Sequence, residues 1–168
     1  MPIVLIFKKL HFIDKKQSLI NKIDYIYLKN IRIMDTYKFD GGEVAMIESN
    51  ILLIEYESSK LITTRNIFNL KKMRERILGN QMFYTITDLR NGLLSLTDEA
   101  KLYISEENDS STNRVGDAIL VNSLAKKIEA ELYIIFNKPK VKTKIFTNLN
   151  KAICWLNTLK VEKAEYTH

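Results

Sequence analysis

The feature of the sequence that most constrains the fold is an alternation of short apolar segments with longer amphipathic ones, from residue 43 to about residue 160. The short segments are rich in β-branched and aromatic residues, as strands are, and the longer ones repeat apolar residues at the spacing of a helix. Strands that alternate with helices are joined by right-handed crossovers and lie parallel. The pattern therefore predicts an α/β fold with a single-layer mixed, mostly parallel sheet, an initial antiparallel hairpin and about four helices.

Turn and cap residues delimit these elements. Ser49-Asn50 is a two-residue connection typical of a hairpin, and Gly79 is typical of a helix end. Ser, Thr and Asn before amphipathic segments indicate helix starts. The strands are predicted at 43–48, 51–57, 82–87, 117–121 and 144–147, and the helices are predicted to begin at Thr63 or Thr64, Thr97, Asn122 or Ser123, and Asn148.

Three of the helices show an apolar face in the sequence. In the first helix this face consists of Ile67, Leu70, Met73 and Ile77. The third predicted helix repeats apolar residues on one face, and the fourth has an apolar stripe that we expect to be buried. These residues are Leu124, Ile128, Leu132 and Ile135 in the third helix, and Ala152, Ile153, Leu156 and Leu159 in the fourth.

Length and charge indicate one domain with a basic N-terminal segment. The chain has 168 residues, within the range of a single domain. Residues 1–40 hold eight Lys and Arg against four Asp, so they carry most of the net charge of +6. We expect a domain at 41–160, a C-terminal tail at 161–168, and at 1–40 either a tail or a leader that precedes a true start at Met34.

The sequence favours a reducing compartment. Cys154 is the single cysteine, so no internal disulfide can form. The apolar run at the N-terminus is interrupted by Lys8 and Lys9, long before the length that a membrane span needs. We expect a cytoplasmic protein without a transmembrane segment.

Catalytic and metal-binding patterns are not evident. The only histidines, His11 and His168, lie near the two ends of the chain. We expect Cys154 to be a small buried apolar residue of the last helix. Nucleophilic catalysis needs a positioned base, and a zinc site needs four ligands. We therefore expect no enzymatic activity, no metal and no cofactor.

A local basic cluster raises the question of nucleic-acid binding. It alternates with Pro139 and other uncharged residues where the third helix leads to the last strand, and the rest of the domain is nearly neutral. A solvated connection explains it better than a nucleic-acid interface. The cluster consists of Lys138, Lys140, Lys142 and Lys144.

Polar residues follow several predicted strands, where ligands gather in parallel sheets. The candidate binding residues are Asp88, Arg90, Asn91, Ser95, Asn122 and Ser123, with Thr147 and Asn148 after the last strand. The alternative is that Asn122 and Asn148 cap helices and that Asp88 forms a local ion pair with Arg90.

Short blocks of the sequence resemble the small bacterial domains of the STAS fold. The blocks are Thr85–Arg90, Thr97–Ala100, Ala118–Val121, Phe136–Pro139, Lys144–Thr147 and Ala152–Leu156. Over about residues 43–160 the chain is similar to anti-sigma-factor antagonists and, more distantly, to the CRAL-TRIO lipid-transfer fold. The resemblance implies a bacterial regulatory domain that binds a partner.

The chain departs from that family at its regulatory serine. Anti-sigma-factor antagonists carry a phosphorylatable serine in an Asp-x-Ser or Asp-Ser-Ser-Gly context at a helix start, and this sequence has no such motif. Ser95 and Thr97 are the nearest hydroxyls, and Thr97 is explained as a helix cap.

Two functions are compatible with these observations. The first is a non-enzymatic, STAS-like regulatory or interaction module, which binds a protein partner or a second copy through the Asp88–Ser95 loop and the following helix. The alternative is a protein that binds a small apolar ligand or lipid beneath the helices. The alternative predicts a cavity of about 300 Å³ or more with few polar groups.

Overall fold

A computed structural model of the chain describes residues 35–57, 60–91, 95–107 and 113–165. The remaining residues, among them most of the basic segment at 1–40, lie outside this part. The elements are β1 (Asp35–Phe39), β2 (Gly42–Glu48), β3 (Ile51–Tyr56), β4 (Leu61–Ile62), α1 (Thr64–Leu78), β5 (Phe83–Asp88), β6 (Ser95–Leu96), α2 (Asp98–Glu107), β7 (Arg114–Leu120), α3 (Leu124–Asn137), β8 (Lys142–Phe146) and α4 (Leu149–Glu165). None of the described helices is long and apolar enough to cross a membrane.

The central sheet has six strands in the order β1-β2-β3-β5-β7-β8. β1, β2 and β3 form an antiparallel meander, and β3, β5, β7 and β8 are parallel to one another. The predicted α/β fold, with a mixed and mostly parallel sheet, an antiparallel hairpin and four helices, is confirmed. The order along the sheet follows the order along the chain, as single crossovers between neighbouring strands require.

The structure adds β1 to the predicted elements. This strand pairs with β2 from Asp35 opposite Met46 to Phe39 opposite Gly42. It lies at the edge of the sheet with every residue at least partly exposed. The sheet thus includes residues that the sequence assigned to the N-terminal segment, and α4 likewise continues to Glu165, beyond the predicted start of a tail at residue 161.

A second, two-stranded sheet positions α2. β4 and β6 pair in parallel, with Leu61 opposite Ser95 and Ile62 opposite Leu96. Ile62 packs with Ala100 of α2 and Ile67 of α1 in one buried cluster. α2 is therefore held against α1.

The two faces of the central sheet are covered by different helices. On one face Leu52 and Ile54 of β3 pack against Leu70 of α1, and Ile119 of β7 packs against Ala130 of α3. Successive side chains of a strand point to opposite faces, so Gly116 and Ala118 face the other side of β7. There α4 packs against β7, and Trp155 contacts the ring of Phe146 with centroids 5.4 Å apart. The prediction that Cys154 is buried is wrong, because Ala152, Leu156 and Leu159 form the buried face of α4 and Cys154 lies on its exposed side.

The apolar face that periodicity predicts on α3 is not its buried face. Ala130 is buried against the sheet, with Tyr133 and Ile134 beside it. The exposed fraction is 72% for Leu124 and 77% for Phe136. Ile128, Leu132 and Ile135 are exposed as well. α3 thus has apolar residues on two sides, and the longer apolar stripe faces solvent.

Two predicted helix starts are visible as caps. The side-chain oxygen of Thr97 accepts a hydrogen bond from the backbone N–H of Ala100 at 3.1 Å, and Asn148 Oδ1 accepts one from Lys151 at the same distance. Each bond satisfies a backbone donor that has no partner within the first turn of its helix.

We expect Gly42→Ala to destabilise the fold because a Cβ at this position would overlap the backbone of β3. It would clash with the carbonyl oxygen of Glu55 and lie 3.0 Å from the Cα atom of Tyr56. Neither can move without shifting the strand, so the free energy of unfolding should fall by about 2–4 kcal/mol in urea denaturation.

Gly116→Ala is the matched control for this substitution. A Cβ at Gly116 would meet only side-chain atoms, the nearest being Leu159 Cδ1 at 2.8 Å. Because such atoms can move aside, we expect a loss of about 1 kcal/mol or less. Equal losses for the two variants would contradict the close backbone approach at Gly42.

Candidate functional site

Among the residues predicted at the strand ends, Asp88 and Arg90 form a buried ion pair. Arg90 Nη2 lies 2.8 Å from Asp88 Oδ2, and Arg90 Nε donates to both carboxylate oxygens at 3.0 and 3.1 Å. The backbone N–H of Arg90 donates to Asp88 Oδ1 at 2.9 Å. Only 5% of Asp88 is exposed. A buried carboxylate needs such partners, so this pair organises the chain after β5.

Asn122 and Ser123 lie at the end of the neighbouring strand and join this network. Asn122 Nδ2 donates to the backbone carbonyl of Arg90 at 3.0 Å, and Lys126 Nζ donates to the same oxygen at 2.8 Å. Ser123 Oγ accepts from the backbone N–H of Lys126 at 3.3 Å, so Ser123 is the cap of α3. The hydrogen bonds of these residues stabilise the loop and the helix start.

The other two predicted site residues lie outside this network. Asn91 is an exposed turn residue directly after Arg90, and Ser95 is exposed in β6. Residues 92–94 between them are not described. A binding role for the six residues stays a prediction.

The same edge of the sheet carries a perturbed carboxyl group. Glu55 of β3 lies opposite Asp88 of β5 and opposite Glu43 of β2. Burial raises the pKa of Glu55 above its ordinary value of 4.5, and the negative charges of Asp88 and Glu43 raise it further. The positive charge of Arg90 acts in the opposite direction.

A cavity of about 370 Å³ lies on the face of the sheet opposite α4, between the sheet and the helices α1, α2 and α3. Its apolar walls include Ile54, Ile67, Leu70, Leu89, Leu96, Ile104, Ile119, Leu132 and Phe136. Its charged lining residues are Arg74, Lys101, Arg114, Asp117 and Glu129. The volume agrees with the one that the ligand-binding alternative predicts, whereas the lining is more polar than that alternative expects.

A polar network on the neighbouring strands β5 and β7 joins Thr87 and Asp117, which line the cavity, to the fully buried Thr85. Thr85 Oγ1 donates to Asp117 Oδ1 at 2.7 Å, and Thr87 Oγ1 donates to the same oxygen at 3.2 Å. Arg114 Nη1 lies 4.0 Å from Asp117 Oδ2. The hydrogen bonds fix the carboxylate against the sheet, and the guanidinium of Arg114 offsets part of its charge.

Two tyrosines border this network. Burial raises the pKa of Tyr56 to about 12, with Arg74, Asp117 and Arg114 as nearby charges. Burial also raises the pKa of Tyr133, and the charge of Asp117 adds to the effect. Both phenols therefore stay protonated at neutral pH and remain hydrogen-bond donors.

The sequence contained one signal for this cavity. Thr85 and Asp117 are polar residues in strands whose other residues are largely apolar, and both are buried. A buried polar residue in a central strand is unusual enough to mark a place of interest. Among the described residues no group of three His, Cys, Asp or Glu side chains is arranged to hold a metal ion.

Residues 45–160 match the protein family described as "Domain of unknown function (DUF7793)". The chain belongs to this family. None of the curated proteins compared with the sequence matches it.

The DUF7793 domain is also similar to a crystal structure of an uncharacterized protein of the DUF3478 family, with a SpoIIAA-like fold, from Shewanella loihica PV-4. The TM-score is 0.50 at 13% sequence identity, and the match covers 73% of this chain and 90% of that one. This likeness confirms the STAS-like fold that the sequence blocks indicated. At such low identity it carries no function.

We expect Arg90→Gln to destabilise the DUF7793 domain because it leaves the buried carboxylate of Asp88 without its cationic partner. Loss of one member of a buried pair typically lowers the free energy of unfolding by about 3–5 kcal/mol, which urea denaturation would measure. Lys101→Gln is the control, because it breaks an exposed pair with Asp98 on α2. Exposed pairs contribute little, so an equal loss for both variants would contradict the importance of burial.

Glu55→Gln should stabilise the domain at neutral pH. A carboxyl group with a raised pKa stabilises the folded state in its neutral form, and this contribution is present below pH 4.5 and lost as the pH rises through the folded-state value. The neutral amide avoids this loss. Thermal unfolding between pH 4 and pH 8 should therefore show a higher Tm for the variant at the alkaline end and a smaller decline with pH. A lower Tm at pH 8 would contradict the assigned direction.

Proposed function

We propose that this chain is a non-enzymatic interaction module that pairs with a second copy of itself through the outer face of α3. The observation that supports the proposal is the exposed apolar stripe on this helix. We define the α3 stripe as Leu124, Ile128, Leu132, Ile135 and Phe136.

The α3 stripe is a continuous row of exposed apolar side chains, unlike ordinary scattered surface residues. From Leu124 through Ile128 and Leu132 to Ile135 and Phe136, each member lies three or four residues from another, so they adjoin one another along nearly the whole helix. Contiguous apolar patches on the order of 300–600 Å² commonly mark interaction sites. Covering this stripe would remove apolar surface from water, which is the main driving force of protein association.

The charges beside the stripe favour a second copy as the occupant. Lys127 and Glu131 lie along one flank of α3, with Lys127 Nζ 3.6 Å from Glu131 Oε1. In a twofold-symmetric antiparallel pair of helices each flank faces the same flank of the partner, in reverse order. Lys127 would then lie opposite the partner's Glu131, and Glu131 opposite the partner's Lys127.

The same geometry brings the apolar residues into register. Leu124 is near the start of α3 and Ile135 near its end, so antiparallel pairing places one against the other across the twofold axis. Ile128 and Leu132 lie on either side of the middle of the helix and would pack around that axis. In this antiparallel pair apolar residues meet apolar residues and opposite charges meet each other, so the stripe is self-complementary.

The STAS-like fold and the composition support the wider assignment. The resemblance to anti-sigma-factor antagonists favours a bacterial regulatory module, and the single cysteine favours the cytoplasm. At the strand ends Asp88 forms an ion pair with Arg90, and Ser123 caps a helix. These contacts favour structural roles over catalytic ones. A partner surface at the Asp88–Ser95 loop remains a second, separate prediction.

Analytical ultracentrifugation of the full chain tests the pairing. We expect a concentration-dependent dimer, and we expect Ile128→Arg to raise its dissociation constant about 100-fold or more, since the substitution buries a charge in the apolar interface. Val161→Arg is the matched control, because Val161 is an exposed apolar residue of α4 outside the stripe. This control should dimerise like the original chain.

Charge exchange provides a sharper test of the antiparallel arrangement. Lys127→Glu should weaken the dimer by placing like charges opposite each other, and the double variant Lys127→Glu with Glu131→Lys should restore it. A chain that remains monomeric at every concentration, or a dimer unaffected by Ile128→Arg, would overturn the proposal.

A further inference from the structure

The position of α2 explains why a cavity exists in this fold. β6 pairs with β4, and Ala100 of α2 packs against Ile62 and Ile67, so this crossover helix lies beside α1. α1 covers β3 and α3 covers β7, as their buried clusters show. The space over β5 and β7 between α1 and α3 is the cavity of about 370 Å³.

The two ends of this cavity differ in polarity. At one end Arg114 is the first residue of β7 and pairs in register with Phe83, the first residue of β5. The guanidinium carbon of Arg74 lies 5.5 Å from the centre of the Phe83 ring. Both guanidinium groups therefore approach the cavity from the side where the parallel strands begin.

The opposite end of the cavity is mostly apolar, and Lys101 of α2 is the charged lining residue on that side. Leu89 follows the last residue of β5, and Leu96 is in β6. Ile67 of α1 and Ile104 of α2 line the cavity with them. A bound molecule would thus meet guanidinium groups at one end and aliphatic side chains at the other.

We propose that the cavity binds a small amphiphile with an apolar chain and an anionic head, either a carboxylate or a phosphate. The head lies at Arg74 and Arg114, and the chain extends toward Leu89 and Leu96. Guanidinium groups suit this role because they present several N–H donors in a plane to an oxyanion. The inference rests on the cavity alone and does not depend on pairing through α3.

The charges of the lining favour an anion over a cation. Arg74, Lys101 and Arg114 line the cavity against the two carboxylates of Asp117 and Glu129, an excess of one positive charge. Within this set Arg114 offsets part of the charge of Asp117, and Lys101 pairs with the exposed Asp98. Asp117 is already held by Thr85 and Thr87, which fix it against the sheet. The protonated phenols of Tyr56 and Tyr133 add O–H groups close to these charges.

The wall residues also favour an amphiphile over a small inorganic anion. Most of the lining is aliphatic or aromatic, and sites of this volume typically enclose most of the surface of a small organic ligand. A free phosphate ion would leave the aliphatic end in contact with water.

Isothermal titration calorimetry of the full chain tests the proposal with four probes that share a dodecyl-type chain and differ in the head. They are dodecanoate, dodecyl phosphate, dodecanol and dodecyltrimethylammonium, each below its micelle concentration. We expect saturable binding of one or both anions, at least about tenfold tighter than the alcohol, and the tighter anion identifies the head. No binding of either anion, or equal or tighter binding of the alcohol or the cation, would overturn the proposal.

Two variants locate the bound molecule. Arg74→Gln should weaken the better anion about tenfold and leave the alcohol unchanged, whereas Arg65→Gln, an exposed arginine on the same helix, should change neither. Leu96→Trp adds bulk at the apolar end and should weaken all binding probes. Circular dichroism melting shows that each variant is folded, and an unchanged anion affinity in both folded Arg74→Gln and Leu96→Trp would overturn the assigned site.

Discussion

The four parallel strands of the sheet have to be covered on both faces, and this requirement determines where the chain can carry a function. Parallel strands carry apolar side chains on both faces of the sheet, and both faces must be covered. On one face α4 packs against β7 and β8, and on the other α1 and α3 cover β3 and β7. With α2 held against α1 by the β4–β6 pair, the middle of the second face is left to a cavity. The cavity is thus a consequence of how the crossovers are arranged.

Most of the fold could be predicted because its signals are local. Strands such as Phe83–Asp88 and helix caps such as Thr97 are determined by residues adjacent in the sequence. β1 could not be found in the same way, because Asp35–Phe39 is a short edge strand with charged residues and belongs to a strongly basic stretch. Edge strands need fewer apolar residues, so their pattern is weak.

α3 shows a different limit of sequence reasoning. Periodicity locates the helix and its apolar residues, but it cannot tell which of two apolar sides faces the sheet. The side with Ala130 and Ile134 packs on β7 because a small residue allows close approach of helix and sheet, and the α3 stripe is left outside. A stripe for a partner and a stripe for the core have the same spacing in the sequence.

The candidate sites were predictable to different degrees, because some depend on residues close in the sequence and others on residues that only folding brings together. The ion pair of Asp88 with Arg90 joins residues two positions apart, and the sequence indicated it correctly. Between the two suggested caps of α3, the structure assigns the role to Ser123, while Asn122 bonds to the Arg90 carbonyl. The cavity draws its lining from three strands of the central sheet, β6 and three helices, so only the folded chain brings these residues together.

The cavity and the α3 stripe meet in two residues, which connects the two proposals physically. Leu132 and Phe136 line the cavity and also belong to the exposed α3 stripe, with exposed fractions of 45% and 77%. A second copy that covers the α3 stripe would contact both side chains and restrict their rotamers, and a molecule in the cavity would contact the same side chains from within. Any coupling between the two places through these side chains would be equal in both directions. The two proposed interactions therefore meet on one helix, at Leu132 and Phe136.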